Sequence, residues 1–276
     1  MAVVAQSTTL PAGRMPGTVM AGTRFFVSAP GRIGARLVVL AAVLAAWQFL
    51  PGKSMRFWMS DPWQIGMALW SWIRDGSLWQ HLDATLQVMS LGYAAGCVLG
   101  VAGGLTLGLL PRVQRVLSPY VAGAYALPKI ALAPLFVIFF GIGLSSKIAL
   151  VTVTVFFLVF NSTLDGVNNI DLDLVRTLTL MGAARSEIVR KVMVPAAMPW
   201  IFTGMRISVR YAFTNTLLAE LIAANSGLGF LIAYYSGKFD AEGAYAAILV
   251  LVVFSVVLTE VLTRIEKLLP QAQVRR

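Results

Sequence analysis

This 276-residue chain has one histidine, one cysteine and twelve acids with which to do chemistry. His81 has Asp83 as its near acidic neighbour, and two groups fall short of the three or four that hold a zinc ion, so no metal site is expected. Cys97 stands inside an apolar run, where a thiol packs rather than reacts, and one cysteine builds neither a disulfide framework nor a thiolate metal site. Pro51-Gly52-Lys53-Ser54 carries the Gly-Lys-Ser of a phosphate-binding loop, but that loop needs a further glycine five residues before Gly52, where Trp47 stands. No serine has a histidine to activate it within the same layer. The chain therefore offers no catalytic residues and is not expected to bind a cofactor itself.

The remaining candidates lie inside apolar stretches, where an ionisable group is costly and faces a cavity or a partner. Lys129 stands beside two prolines. Arg206 and Arg210 are four apart and share a helix face, followed by Thr214, Asn215, Thr216 and Glu220. An unsatisfied polar run in hydrocarbon is expensive. Lys129, Arg206, Arg210, Thr214, Asn215 and Glu220 are thus candidates for a water-accessible solute path. Anchoring at the headgroups is the alternative role for the three cations.

The elements that would position these residues are membrane spans. Apolar residues make up 58% of the chain and charged ones 12%, with a mean hydropathy of +0.78. A soluble domain carries about 25% charged residues, so this excess needs lipid to hide it. Six apolar stretches approach the roughly 20 residues that cross a bilayer: 34–50, 84–110, 119–141, 148–164, 199–223 and 244–263. Arg14, Arg24 and Arg32 precede the first and Arg36 stands near its start, like the start of a signal peptide. No small-x-small cleavage site follows before Trp47, which reads as an uncleaved anchor. With the N-terminus inside, the cytoplasmic tracts hold fourteen Lys and Arg and the outer ones five, placing both termini in the cytoplasm. The formal charge of +10 therefore orients the chain and does not mark a nucleic-acid face.

Three local patterns refine the bundle. Five of the seven tryptophans fall in residues 57–80, a segment suited to lie along the outer interface, with Asp61-Pro62 starting a short helix that ends near Gly76. Gly92, Gly96, Gly100, Gly104 and Gly108 stack on one face as a groove for another helix, in this chain or in a second copy. Pro128 and Pro134 predict a kinked, buried third span.

Residues 165–198 form the longest cytoplasmic loop. Asp171 or Asp173 can cap a helix running to Met181, Gly182 makes the turn, and a second helix runs from Ala183 to Val194, where Pro195 and Pro199 stop it. In the second helix Ile188 and Val192 are four apart, with Arg185, Glu187, Arg190 and Lys191 supplying charge elsewhere. Such an amphipathic hairpin suits docking to a soluble protein.

Gly182, nine residues, then Val192-x-Val194-Pro195 resembles the Glu-Ala-Ala loop of binding-protein-dependent ABC importer permeases. Arg176-Thr177-Leu178 stands where that family has its Glu-Ala-Ala triplet. Further segments resemble its nitrate/sulfonate/taurine branch: Leu78-Trp79-Gln80-His81-Leu82, the run from Leu127-Pro128 to Gly141-Ile142-Gly143 with Ser146-Lys147-Ile148, and Ser226-Gly227-Leu228-Gly229. The resemblance implies an all-α, polytopic helix bundle of about six transmembrane helices, like a type I ABC importer, in the bacterial inner membrane. It also implies two copies of a cytosolic ATPase carrying ATP and Mg, a second permease copy forming a homodimer, and an extracytoplasmic solute-binding protein facing Ala224–Gly243. Gly182, Ala183, Arg185, Glu187, Ile188, Arg190, Val192 and Pro195 would contact the ATPase. The expected organisation is a cytoplasmic tail over 1–33, a permease domain over 34–266 and a second tail over 267–276, passing a small anionic solute. A secondary transporter or channel working without an ATPase is the rival reading; it should show inverted repeats with paired broken helices.

Overall fold

The computed structural model describes residues 29–49, 52 and 59–268. Both expected tails, the Lys53-Ser54 part of the phosphate-loop look-alike and Trp58 lie largely or wholly outside these residues. The chain divides into two compact units, 1–53 and 54–276. In the first, α1 (Ala29–Phe49) contains the apolar stretch Gly34–Phe49, shorter than a full span.

The second unit is an all-α membrane bundle. Its helices are α2 (Pro62–Arg74), α3 (Ser77–Gly108), α4 (Pro111–Ala126), α5 (Ala133–Phe140), α6 (Leu144–Asn168), α7 (Leu172–Leu180), α8 (Arg185–Ile188), α9 (Val194–Ile222), α10 (Leu228–Gly237) and α11 (Ala241–Leu268). Among the described residues four helices are long and apolar enough to cross a bilayer: 77–108, 144–168, 185–222 and 241–264. A further apolar pair is sharply bent: α4 and the segment 129–140 meet at 85°, the geometry of a broken span or a re-entrant loop. Leu127-Pro128 supplies the break, because a residue before proline avoids the helical region and Leu127 is extended at φ −61°, ψ 136°.

The glycine face of α3 packs on α6 of the same chain. A Cβ on Gly92, Gly96 or Gly100 would stand 2.6–2.8 Å from the Cβ of Val151, Val155 or Val159, and on Gly104 or Gly108 would meet Thr163 or Val167. Both helices thus repeat at four residues, and the backbones close to a distance only glycine permits. α6 presents its other side to α9, where Gly166 takes Trp200 and Gly204 takes Ser162. The sequence α3–α6–α9 is the core of the unit, with Val88, Val151, Val155, Val159 and Ala212 sealed at its centre.

Two expectations are corrected. The broken third span is kinked but not buried: α4 has no buried residue, and in 129–140 only Ala133 is sealed. One chain leaves that flank uncovered. Pro195 and Pro199 also do not end the second hairpin helix, which runs unbroken from Arg185 to Ile222. Val189–Met193 forms a π-turn just ahead of Pro195. Its wider i→i+5 pitch accommodates a ring that has no N–H to donate and would strike the preceding turn.

Candidate functional site

At one end of the core stands the α7–α8 hairpin. Asp171, not Asp173, is the cap, its Oδ1 accepting from the Asp173 N–H at 2.8 Å. The far end of α7 closes in a Schellman turn: Ala183 N–H donates to the Leu178 carbonyl and Gly182 N–H to that of Thr179, with Gly182 at φ +87°. Glu187 accepts from the Ala184 N–H and pairs with Lys191 at 3.0 Å. Ile188 is buried and Val192 half-buried, whereas Arg185, Glu187, Arg190, Lys191 and Pro195 are exposed. Arg185 Nη2 donates to the Leu109 carbonyl at 3.0 Å, fastening the hairpin to the end of α3. Arg176, in place of a family glutamate, forms an exposed pair with Asp173 at 2.9 Å. Leu180, 89% exposed, and Met181 leave an apolar tip beside Gly182.

At the opposite end a buried polar cluster joins four helices. Glu220, near the end of α9, is 1% exposed. Thr85 Oγ1 of α3 donates to its carboxylate at 3.0 Å, and the Gly229 N–H donates to Oε2 at 2.9 Å. The Leu228 N–H donates to Thr85 Oγ1 at 2.9 Å, and the Gly227 N–H to His81 Nδ1 at 3.1 Å. The start of α10 is therefore capped wholly by side chains from α3 and α9. Accepting at Nδ1 assigns His81 the neutral form with its proton on Nε2. Lys147, at the start of α6 and 4% exposed, donates to the Ser226 carbonyl at 3.4 Å. Glycine is required at 227 and 229: Gly227 has φ +117° and a Cβ there would fall onto the Glu220 carboxyl group, while one on Gly229 would stand 2.5 Å from the Leu217 carbonyl oxygen. α2 reaches this end too, Trp72 stacking on Tyr235 of α10 at 5.2 Å, with Trp63, Trp70 and Trp79 exposed.

The six path candidates do not converge. Arg206, Arg210 and Thr214 form an exposed stripe on α9. Asn215 is 8% exposed, its Nδ2 donating to the Tyr211 carbonyl, and Glu220 belongs to the buried cluster. Both side chains lie inside the bundle that this chain forms. Their helix carries its polar run cheaply because each group bonds one turn back: Thr214 to the Arg210 carbonyl, Thr216 to that of Ala212. Lys129 folds onto its own turn, donating to the Tyr125 carbonyl with its Nζ 4.5 Å from the Tyr125 ring centroid. An open hollow of about 790 Å³ between α3, α4 and α6 is lined by Leu99, Leu107, Tyr120, Phe156, Phe157 and Phe160 among others, with no charged group to orient an anion. No cluster of three or more metal-ligating side chains occurs among the described residues.

Sequence reasoning missed Thr85 and gave Lys147 no role in a site. The available signal was His81 and Thr85 at i, i+4 on one face of α3, opposite a loop with two glycines bracketing Leu228.

Long apolar helices packed through glycine, with a helical hairpin exposed at one end, define a polytopic membrane-transport subunit. A family model for the binding-protein-dependent transport system inner membrane component matches residues 92–272, and the chain belongs to that family of ABC importer permeases. It is 38% identical over 173 residues to the taurine transport system permease protein TauC of Escherichia coli, a match covering 63% of this chain and 62% of that one. It is 30% identical over 264 residues to the riboflavin transport system permease protein RibX of Chloroflexus aurantiacus, covering 95% and 97%. In fold it resembles a chain of the MetNI methionine ABC transporter in an inward-facing conformation. That similarity has a TM-score of 0.57 at 22% identity, over 70% of this chain and 94% of that one.

Proposed function

We propose that this permease pairs with a second copy of itself to pass a small anionic solute, with alkyl sulfonates such as taurine as the foremost class. A separate ATPase, which alone binds ATP and Mg, drives it by docking on the α7–α8 hairpin. An extracytoplasmic solute-binding protein delivers the solute at the α10 end. Both termini lie on the cytoplasmic side of the inner membrane, as the excess of basic residues in the tracts on that side supports. The path runs along the exposed face of α9 that carries Arg206, Arg210 and Thr214, where the two guanidinium groups favour an anion.

The observation that carries this reading is the hairpin itself. It is fastened to the core through Arg185 and Ile188, yet it leaves Leu180 and Met181 uncovered at its tip. Exposed apolar side chains on a rigid projection serve a protein partner. Co-purification tests it: tagged permease drawn from membranes should bring its cognate ATPase in equal amount, and Leu180→Asp should release that ATPase while the permease stays in the membrane. A permease purifying without ATPase would overturn the reading. Titrating the cognate binding protein with taurine, nitrate and riboflavin then sorts the solute class.

A further inference from the structure

The helix that begins at the hairpin ends at the buried carboxylate. Residues 185–222 form 38 unbroken residues, about 57 Å at 1.5 Å per residue, nearly twice the hydrocarbon thickness of a bilayer. Its first turn holds Glu187 and Ile188 of the hairpin, and its last holds Glu220.

Glu220 accepts hydrogen bonds from the start of α10 and from the α3 residue that helps hold it. The N–H groups of Gly227, Leu228 and Gly229 are three of the donors a helix N-terminus leaves without intrahelical partners. α10 supplies no side-chain cap of its own. Instead the three N–H groups go in turn to His81, Thr85 and Glu220, and the Thr85 hydroxyl both accepts from Leu228 and donates to Glu220. Thr85 and Leu228 are fully buried, so no water is at hand to replace a broken bond. A satisfied buried network of this kind holds one arrangement and resists partial loosening.

We propose that Glu220, Thr85 and His81 are positioning residues that lock α10 to α9 and α3, so that hairpin movement at one end is delivered to the solute-receiving end through one rigid helix. This rests on the functional reading above. α10 then travels with the core and is not an independent lid, and the Ser226-Gly227-Leu228-Gly229 segment is the joint at which the movement is handed over. The two glycines let the backbone come close enough to the carboxylate for the joint to form.

Spin labels at Trp79 on α3 and Lys238 just past α10, both exposed, test the lock in the purified permease. With labelled copies diluted in unlabelled ones so that only distances within one copy are read, the expected result is one narrow distance distribution that ATP leaves unshifted when the cognate ATPase is bound, and that broadens in Thr85→Val and Glu220→Gln but not in Thr85→Ser. In liposomes holding the full complex, with taurine as the probe solute, Thr85→Val and Glu220→Gln should lose stimulation of ATP hydrolysis by the binding protein, and Thr85→Ser should keep it. A label distance that shifts with ATP in otherwise wild-type protein would overturn the proposal, as would a distribution that stays narrow in Thr85→Val. Failure of the functional reading looks different. The wild type would then bind no ATPase, and the label distributions in the permease alone would still decide whether the lock exists. If Glu220→Gln does not fold, the Thr85 pair carries the test.

Discussion

Gly96 and Val155 meet so closely that a Cβ added to Gly96 would stand 2.6 Å from the Val155 Cβ and 2.9 Å from the Thr152 carbonyl oxygen. Side chains in a close-packed interior cannot yield that much room, and a backbone carbonyl cannot yield at all without moving its helix. Gly96→Ala and Gly100→Ala should each destabilise the folded bundle by about 1–3 kcal/mol through overpacking. Gly66→Ala, at an exposed position of α2 with nothing within 4 Å, should be neutral or slightly stabilising. Thermal unfolding in detergent checks all three.

Gly182 sits at φ +87° and donates to the Thr179 carbonyl, and proline can do neither. Gly182→Pro should insert into the membrane at wild-type level, since no core residue touches it, yet uptake should fall to background while ATP hydrolysis persists. Membrane abundance, uptake and phosphate release together check this, and normal uptake would remove the hairpin from the coupling role.

Thr214 and Asn215 are adjacent but point about 100° apart around α9, one exposed and the other sealed. With the buried Cys97 replaced by serine, Thr214→Cys should react with a polar thiol reagent in at least one transport state. Asn215→Cys should stay inert in all of them. Reversed reactivity would move the solute path to the other face.

Pro195 stands one residue, Val194, beyond the π-turn at Val189–Met193. Pro195→Ala restores a donor and removes the ring that the wide turn accommodates, so the turn should relax toward α-helix and rotate the hairpin relative to α9. We expect uptake to drop several-fold with little loss of stability, measured by transport beside thermal unfolding.

The sequence made some of this legible and hid the rest for physical reasons. A glycine at every fourth position marks a close helix contact whatever the partner, because no side chain can fill that face; the partner, α6, needed the fold. The Gly182 turn was legible because its left-handed backbone favours one residue type. Pro195 misled because a π-turn absorbs a proline that an α-helix would not, and nothing in the residue pattern marks such a turn. The burial of Asn215 was hidden because its amide is satisfied one turn back along its own helix, which no residue pattern marks. The capping of α10 was hidden most fully: His81 lies 146 positions from the Gly227 N–H it accepts from, Thr85 lies 143 from Leu228, and Thr85 lies 135 from Glu220. Only their meeting in space gives them a common task.

Uptake into liposomes tests the central claim most directly. Vesicles holding the purified permease, its cognate ATPase on the hairpin side and the binding protein with radiolabelled solute outside should accumulate solute only with ATP, and lose that uptake when the ATPase is left out. Accumulation at the same rate by the permease alone, without ATP, would contradict the account.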